Sequence, residues 1–285
     1  MSTMTTESPV AAPTKPARPT YRVTVRGVLR SEWTKLWSLR STWIMLGLAL
    51  LLLVGFGVFA AVRYRSQVDA GQSASGPFSG AFSDASAVSL SVFGINLGQL
   101  IMGTVGVLVM AAEYSTGMIS STLAAVPRRL PVLWSKAAIY ATVSFAVGSA
   151  GALAAFLIGR PLLSGTPAAL SPSDAGVLRS LLGSGLYLAL VGVIGISLGA
   201  LLRSVAGGIT VLVVLLLTVR GLTTLLPASW DQHISPYLPS NAGASMYTLA
   251  LTHDALSPGG GLAVLLGWTA LALVGAAIRL KRSDA

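Results

Sequence analysis

Apolar residues in this chain run in long unbroken blocks. Six stand out: Trp43–Val62, Ser89–Ala112, Ala137–Gly159, Leu178–Leu202, Val205–Leu226 and Gly261–Ile278. Each is rich in Leu, Val, Ala and Gly, and each approaches the ~20 residues a helix needs to cross a hydrocarbon core about 30 Å thick. None alternates with the two-residue period of a barrel strand. The pattern predicts an all-α polytopic membrane protein with six transmembrane helices.

Two stretches outside the blocks also carry a helical period. In "YRVTVRGVLRSEWTKLWSLRSTW", Val25, Val28, Leu29, Trp33, Leu36 and Trp37 recur at intervals of three and four. Arg22, Arg26 and Arg30 form an i, i+4 ladder on another face, with Lys35 nearby. A basic helix with Trp and Leu opposite suits the headgroup layer of a lipid bilayer. Residues 21–42 are therefore expected to form an amphipathic interfacial helix, which either only orients the protein or also braces other spans. Residues 1–20 have no period and are rich in Pro, Thr and Ala, as a disordered tail would be.

The second stretch, "AAEYSTGMISSTLAAVPRRLPVLWSKA", separates the second and third blocks. Ile119, Leu123 and Val126 stand at i, i+4 and i+7, which predicts a helix from about Tyr114 to Val126, roughly 20 Å long. Gly117 permits a close approach or a bend. Pro127 discourages helix just before it, and Arg128 and Arg129 complement the helix dipole at its C-terminal end. A rigid helix tied to two spans can carry displacement from a partner into them. The competing reading makes Arg128, Arg129 and Lys136 topology signals only.

Charge gives the orientation. The chain has 19 basic and 9 acidic residues and a net charge of +10. With the N-terminus in the cytoplasm, 14 of the bases fall inside, and only Arg63, Arg65, Arg160 and Arg179 fall outside. This bias predicts a multi-pass protein of the cell membrane with both termini cytoplasmic. It also accounts for the excess of bases without nucleic acid, for which no recognition module is visible.

Candidate chemistry is sparse. There is no cysteine, hence no disulfide framework or thiolate metal site. Neither G-x-x-x-x-G-K-[ST] nor H-E-x-x-H occurs, and His233 and His253 have no ligand spacing. No catalysis, metal or cofactor is expected of this chain alone. Asn96 and Gln99 share a face of the second block, and Arg220 lies within the fifth. All three are possible pathway residues, with interhelical hydrogen bonding or snorkelling as the competing roles. Gly195-x3-Gly199 and Gly148-x3-Ala152 allow close helix packing, by default within one subunit. Residues 227–261 mix prolines with apolar residues, as short helices dipping into the outer leaflet would.

The pattern Glu113-x3-Gly117-x9-Pro127-Arg128-Arg129, with Lys136 entering the third span, resembles the loop between spans two and three of ATP-binding-cassette type-2 permeases. "LRSEWTKLWSLRSTW" is similar to the elbow helix before their first span, and the resemblance extends over nearly the whole chain from residue 22. It implies a six-span permease domain at 43–278 and a cytoplasmic tail at 279–285. It implies the transmembrane subunit of an exporter, a homodimer or a heterodimer with a related permease. Separate ATP-binding-cassette subunits would hold ATP and Mg and grip a coupling helix at 114–126. Glu113, Gly117, Pro127, Arg128 and Arg129 then become coupling positions, with Ile119 and Leu123 on the apolar stripe of that helix. Arg26, Arg30, Trp33, Lys35 and Trp37 belong to the elbow helix, and Glu113 is expected to pair with a base there, such as Arg30 or Lys35. A re-entrant segment is implied between spans five and six. The alternatives are an ATP-independent channel or secondary transporter, against which the absence of acids within spans argues, and a non-transporting scaffold.

Overall fold

A computed structural model describes residues 24–38, 40–71, 85–118, 129–223, 232–249 and 255–282. Among these residues all regular structure is helical. The helices are α1 Val25–Ser38, α2 Arg40–Asp69, α3 Ala87–Ser91, α4 Ile95–Ser115, α5 Arg129–Leu163, α6 Val177–Leu202, α7 Val205–Val213, α8 Val219–Thr223, α9 Pro239–Tyr247 and α10 Pro258–Arg282. A π-helical turn, Val214–Thr218, links α7 to α8, and a 3-10 turn, Ser235–Tyr237, precedes α9.

Five helices, α2, α4, α5, α6 and α10, are long and apolar enough to cross a membrane. The chain thus has the make-up of a multi-pass helical membrane protein. α6 lies at the centre of the bundle, with 72% of its most apolar window buried against 28% for α10. It packs on α4, α5, α7, α9 and α10. Glycines make the α4–α6 crossing possible. A methyl group added at Gly106 would strike the carbonyl of Gly192, and one at Gly195 would strike the carbonyl of Gly103. The two backbones are in direct contact, which only residues without a Cβ allow. Gly199 faces the backbone of α4, and Gly148 of α5 faces Gly185 of α6, so both small-residue motifs serve packing within the chain.

Two of the apolar blocks depart from a continuous helix. The second apolar block begins as α3, breaks at residues 92–94 and restarts at Ile95. Ser86 caps α3, exchanging hydrogen bonds with Ser89, and a Cβ added at Gly94 would lie 2.9 Å from the backbone of Leu52 and Leu53. The contact with α2 therefore fixes the break. The fifth block starts where expected, with Ser204 capping α7 through the amide of Gly207 at 3.2 Å, but it passes into the π turn around buried Leu216. Beyond residue 223 it lies outside the described residues.

The connection before α10 is folded onto the bundle. Pro239, Ala242, Gly243 and Met246 of α9 are buried, Gly243 sits against the ring of Tyr187, and Gly261 of α10 against the carbonyl of Ala242. Trp268 Nε1 donates to the carbonyl of Tyr237 at 3.0 Å. These contacts give the apolar residues of this connection a covered side. The segment assigned as a tail, 1–20, lies outside the described residues, as does His253.

Candidate functional site

The largest concentration of buried charge lies where α1 crosses the end of α4 and the beginning of α5. α1 turns Val28, Glu32 and Leu36 inward at four-residue intervals, each less than a tenth exposed. An acid therefore occupies the middle of its buried stripe. Trp33 and Trp37, which extend the apolar period in the sequence, lie on the outside at 43% and 41% exposed. There Trp37 stacks at 3.9 Å on Trp43 of α2, whose indole donates to the carbonyl of Trp37 at 3.1 Å. The indole contact ties the end of α1 to the start of α2.

Glu32, Lys35, Glu113 and Lys136 close a ring of four charged groups. Lys136 Nζ donates to Glu32 Oε2 at 2.6 Å and to Glu113 Oε1 at 2.9 Å. Lys35 Nζ donates to Glu32 Oε1 at 2.9 Å and to Glu113 Oε1 at 3.2 Å. Glu32, Glu113 and Lys136 are buried, and Lys35 is the one member that reaches the surface, its side chain 30% exposed. Burying an ion is costly unless counter-charges and hydrogen bonds compensate it. Here two carboxylates meet two ammonium groups, so the cluster is neutral as a whole. Burial pushes the Glu32 carboxyl up, but Lys136 and Lys35 outweigh it and hold the group below its ordinary 4.5. Burial likewise pushes Lys35 down, while its bonds to Glu32 and Glu113 hold it above its ordinary 10.5. Glu113 Oε2 is buried and, among the described residues, accepts no hydrogen bond.

A cavity of about 320 Å³ opens beside the ring. All four charged residues line it, together with apolar side chains that include Leu36, Val109 and Ile139. Close by, the guanidinium of Arg203, in the turn between α6 and α7, lies 4.9 Å over the ring of Tyr114. Arg203 adopts a left-handed backbone with φ of 52°, so the turn holds it there against its own conformational preference.

Among the residues singled out from the sequence, Glu113 and Lys35 meet as expected. Arg30 is not the partner; it is exposed on the opposite side of α1. Arg26 is likewise exposed. Glu32 completes the ring with Lys136; hydrophobicity alone hides it, and only its four-residue spacing from Val28 and Leu36 puts it on the packed face. Helix α4 ends at Ser115, and Gly117 has a φ of 71°. The expected helix from Tyr114 to Val126 is therefore corrected at its start. Tyr114 and Ser115 belong to the span, and a left-handed glycine breaks the helical path before Met118. Ile119, Leu123, Pro127 and Arg128 lie outside the described residues, and Arg129 begins α5.

Gln99 and Asn96 do not act as one polar face. Gln99 points inward, is 2% exposed and accepts a hydrogen bond from the hydroxyl of Tyr187 on α6, while Asn96 is exposed. Gln99 thus makes the interhelical bond that was the competing reading of its place in a span. Arg220 lies in α8, and its side chain is outside the described residues. No cluster of His, Cys, Asp or Glu suited to a metal occurs among the described residues. Compared with known proteins, the sequence matches no protein family and no curated sequence.

Proposed function

We propose that this chain is the permease subunit of an ATP-driven exporter of the ATP-binding-cassette type, working as a homodimer or with a related permease and with separate ATP-binding subunits. The observation that carries the proposal is the buried ring of Glu32, Lys35, Glu113 and Lys136. It ties α1 to the two helices, α4 and α5, that flank residues 116–128. A push on that connection would reach both helices and α1 together. The left-handed Gly117 provides a joint between the connection and α4.

In this reading α7, the π turn and α8 form the sixth span. At 1.5 Å per residue, Val205 to Thr223 reaches roughly 28 Å, close to the thickness of a bilayer core. The excess of bases then puts both termini and the connection after α4 in the cytoplasm of a cell-membrane protein. α1 is the elbow helix, and α9 the core of the re-entrant outer segment. Catalysis belongs to the partner, which would bind ATP and Mg.

Co-purification tests the proposal. Tagged protein is expected to bring down an ATP-binding subunit encoded by the same genome, and changing Leu123, Arg128 and Arg129 together to be expected to weaken that capture. Transport by the purified chain in vesicles without nucleotide would overturn the reading, as would labelling that puts Met118 outside the cell.

A further inference from the structure

The cavity beside the ion ring has an apolar wall and a charged edge, and the edge contains an unanswered acceptor. Glu113 lines the cavity, its side chain is 9% exposed, and its Oε2 accepts no hydrogen bond among the described residues. Oε2 is closed to solvent as the carboxylate stands, and the terminal torsion of a Glu side chain is broad, so a donor that enters the cavity is met by a turn of the carboxylate. Lys35, the most exposed member of the ring, lines the same edge. Leu36, Val109, Ala112 and Ile139 form much of the rest. A volume of about 320 Å³ is within the range that holds a small ligand or part of a larger one.

The charge balance of the ring selects the ligand. Two carboxylates and two ammonium groups cancel, so a bare cation or anion entering the cavity would be desolvated without net compensation. A head that carries both signs meets both: an N–H-bearing cation supplies the donor missing at Glu113, and an adjacent anionic group faces Lys35. The apolar wall calls for a hydrocarbon body. We propose that this cavity binds an aminophospholipid, with the primary ammonium of its head at Glu113 and the upper part of its chains against Leu36, Val109 and Ile139. A phosphatidylcholine has the same phosphate and the same chains but no N–H donor, and is discriminated against on that ground. The site does not depend on the transport proposal, since it requires only that α1, α4 and α5 meet at the end of a membrane bundle.

Native mass spectrometry of the full-length protein, extracted from vesicles of equal phosphatidylethanolamine and phosphatidylcholine with matched chains, tests this directly. The expected result is a retained phosphatidylethanolamine at about fivefold or more over phosphatidylcholine. Ala112→Phe, which puts bulk into the cavity while keeping all four charged side chains, is expected to abolish retention, and Glu113→Gln to bring the ratio to about one. Because Glu113→Gln also disturbs the ring, the Ala112→Phe result stands as the independent check. Soluble glycerophosphoethanolamine at millimolar concentration is expected to leave the lipid bound; its displacing the lipid would make the head alone the ligand and overturn the lipid assignment. Equal retention of the two lipids by the wild-type chain, or unchanged preference in Ala112→Phe, would overturn the site.

Discussion

Glu32 of α1 and Lys136 of α5 meet at 2.6 Å although 104 positions separate them in the chain. Both are about 4% exposed, so removing one partner strands the other in a site closed to water. Lys136→Met leaves two carboxylates with Lys35 alone and is expected to cost about 3–5 kcal/mol. Glu32→Gln combined with Lys136→Met retains the neutral Lys35–Glu113 pair. The double variant is therefore expected to be less destabilised than the sum of the two single changes. Thermal unfolding of the four proteins in lipid nanodiscs measures this, and additive losses would show that the ring is not a coupled unit.

The same ring sets a dependence on pH. Glu32 has its folded pKa held below 4.5, so its contribution is present above that value and is lost as pH falls through the lowered folded pKa. Lys35 has its folded pKa held above 10.5, so its contribution is present below that value and is lost as pH rises through the raised folded pKa. From these two groups the melting temperature is expected to be flat between about pH 5 and pH 10 and to fall on either side. In Glu32→Gln the acid-side fall should shrink relative to wild type; an unchanged acid limb would assign it to other carboxylates.

Gln99 and Tyr187 form a second test within the bundle. The hydroxyl of Tyr187 donates to Gln99 Oε1, and both residues are nearly fully buried. Tyr187→Phe is expected to cost about 1–3 kcal/mol, because it leaves a buried amide oxygen without a donor. Gln99→Leu together with Tyr187→Phe removes both polar groups and should recover part of that loss. Melting curves decide. If the double variant is no more stable than Tyr187→Phe alone, the pair does not account for Gln99.

Much of the architecture was legible because a membrane solvent leaves a strong trace: apolar blocks of span length need no tertiary information to be seen. The places where hydropathy failed are set by contacts between elements. Nothing in residues 89–112 announces a break at 92–94, since the cause is Gly94 lying against Leu52 and Leu53. The ring was half legible. Glu113 and Lys35 stand out as charges at a span's end and on an amphipathic helix. Glu32 was hidden because counting α1 by hydrophobicity assigns acids to the outer face, whereas Lys136 makes burial of this one favourable. The tryptophans mislead in the opposite sense, extending the apolar period of α1 while facing outward.

The α4–α6 contact predicts opposite effects for one substitution at two sites. Gly106→Ala drives a methyl into the carbonyl of Gly192. The helices must separate, at an expected cost of about 1–3 kcal/mol. Gly55→Ala in α2, where no described residue lies within 4 Å of the added methyl, should be neutral or stabilise by up to about 1 kcal/mol, since Gly is the poorer helix former. Comparing the melting temperatures of the two variants separates packing from propensity. Similar losses in both would mean that glycine at 106 is not required by the crossing.

Gly117 gives the test closest to function. Its φ of 71° lies in the left-handed region, and among the described residues nothing lies within 4 Å of an added methyl. Against those residues a substitution there acts through the backbone. Gly117→Ala is expected to lower stability by about 1–2 kcal/mol, the cost of a left-handed non-glycine residue. If residues 116–128 transmit the stroke of an ATP-binding partner, the same change should reduce transport-coupled ATP hydrolysis well beyond what the lost stability explains, because the joint between the connection and α4 is altered. Gly106→Ala offers the comparison, since it destabilises the α4–α6 crossing while leaving both the Gly117 joint and the ion ring in place. ATPase activity of each reconstituted complex, plotted against its melting temperature, distinguishes the two. A Gly117→Ala complex falling on the line set by stability alone would remove the joint from the mechanism.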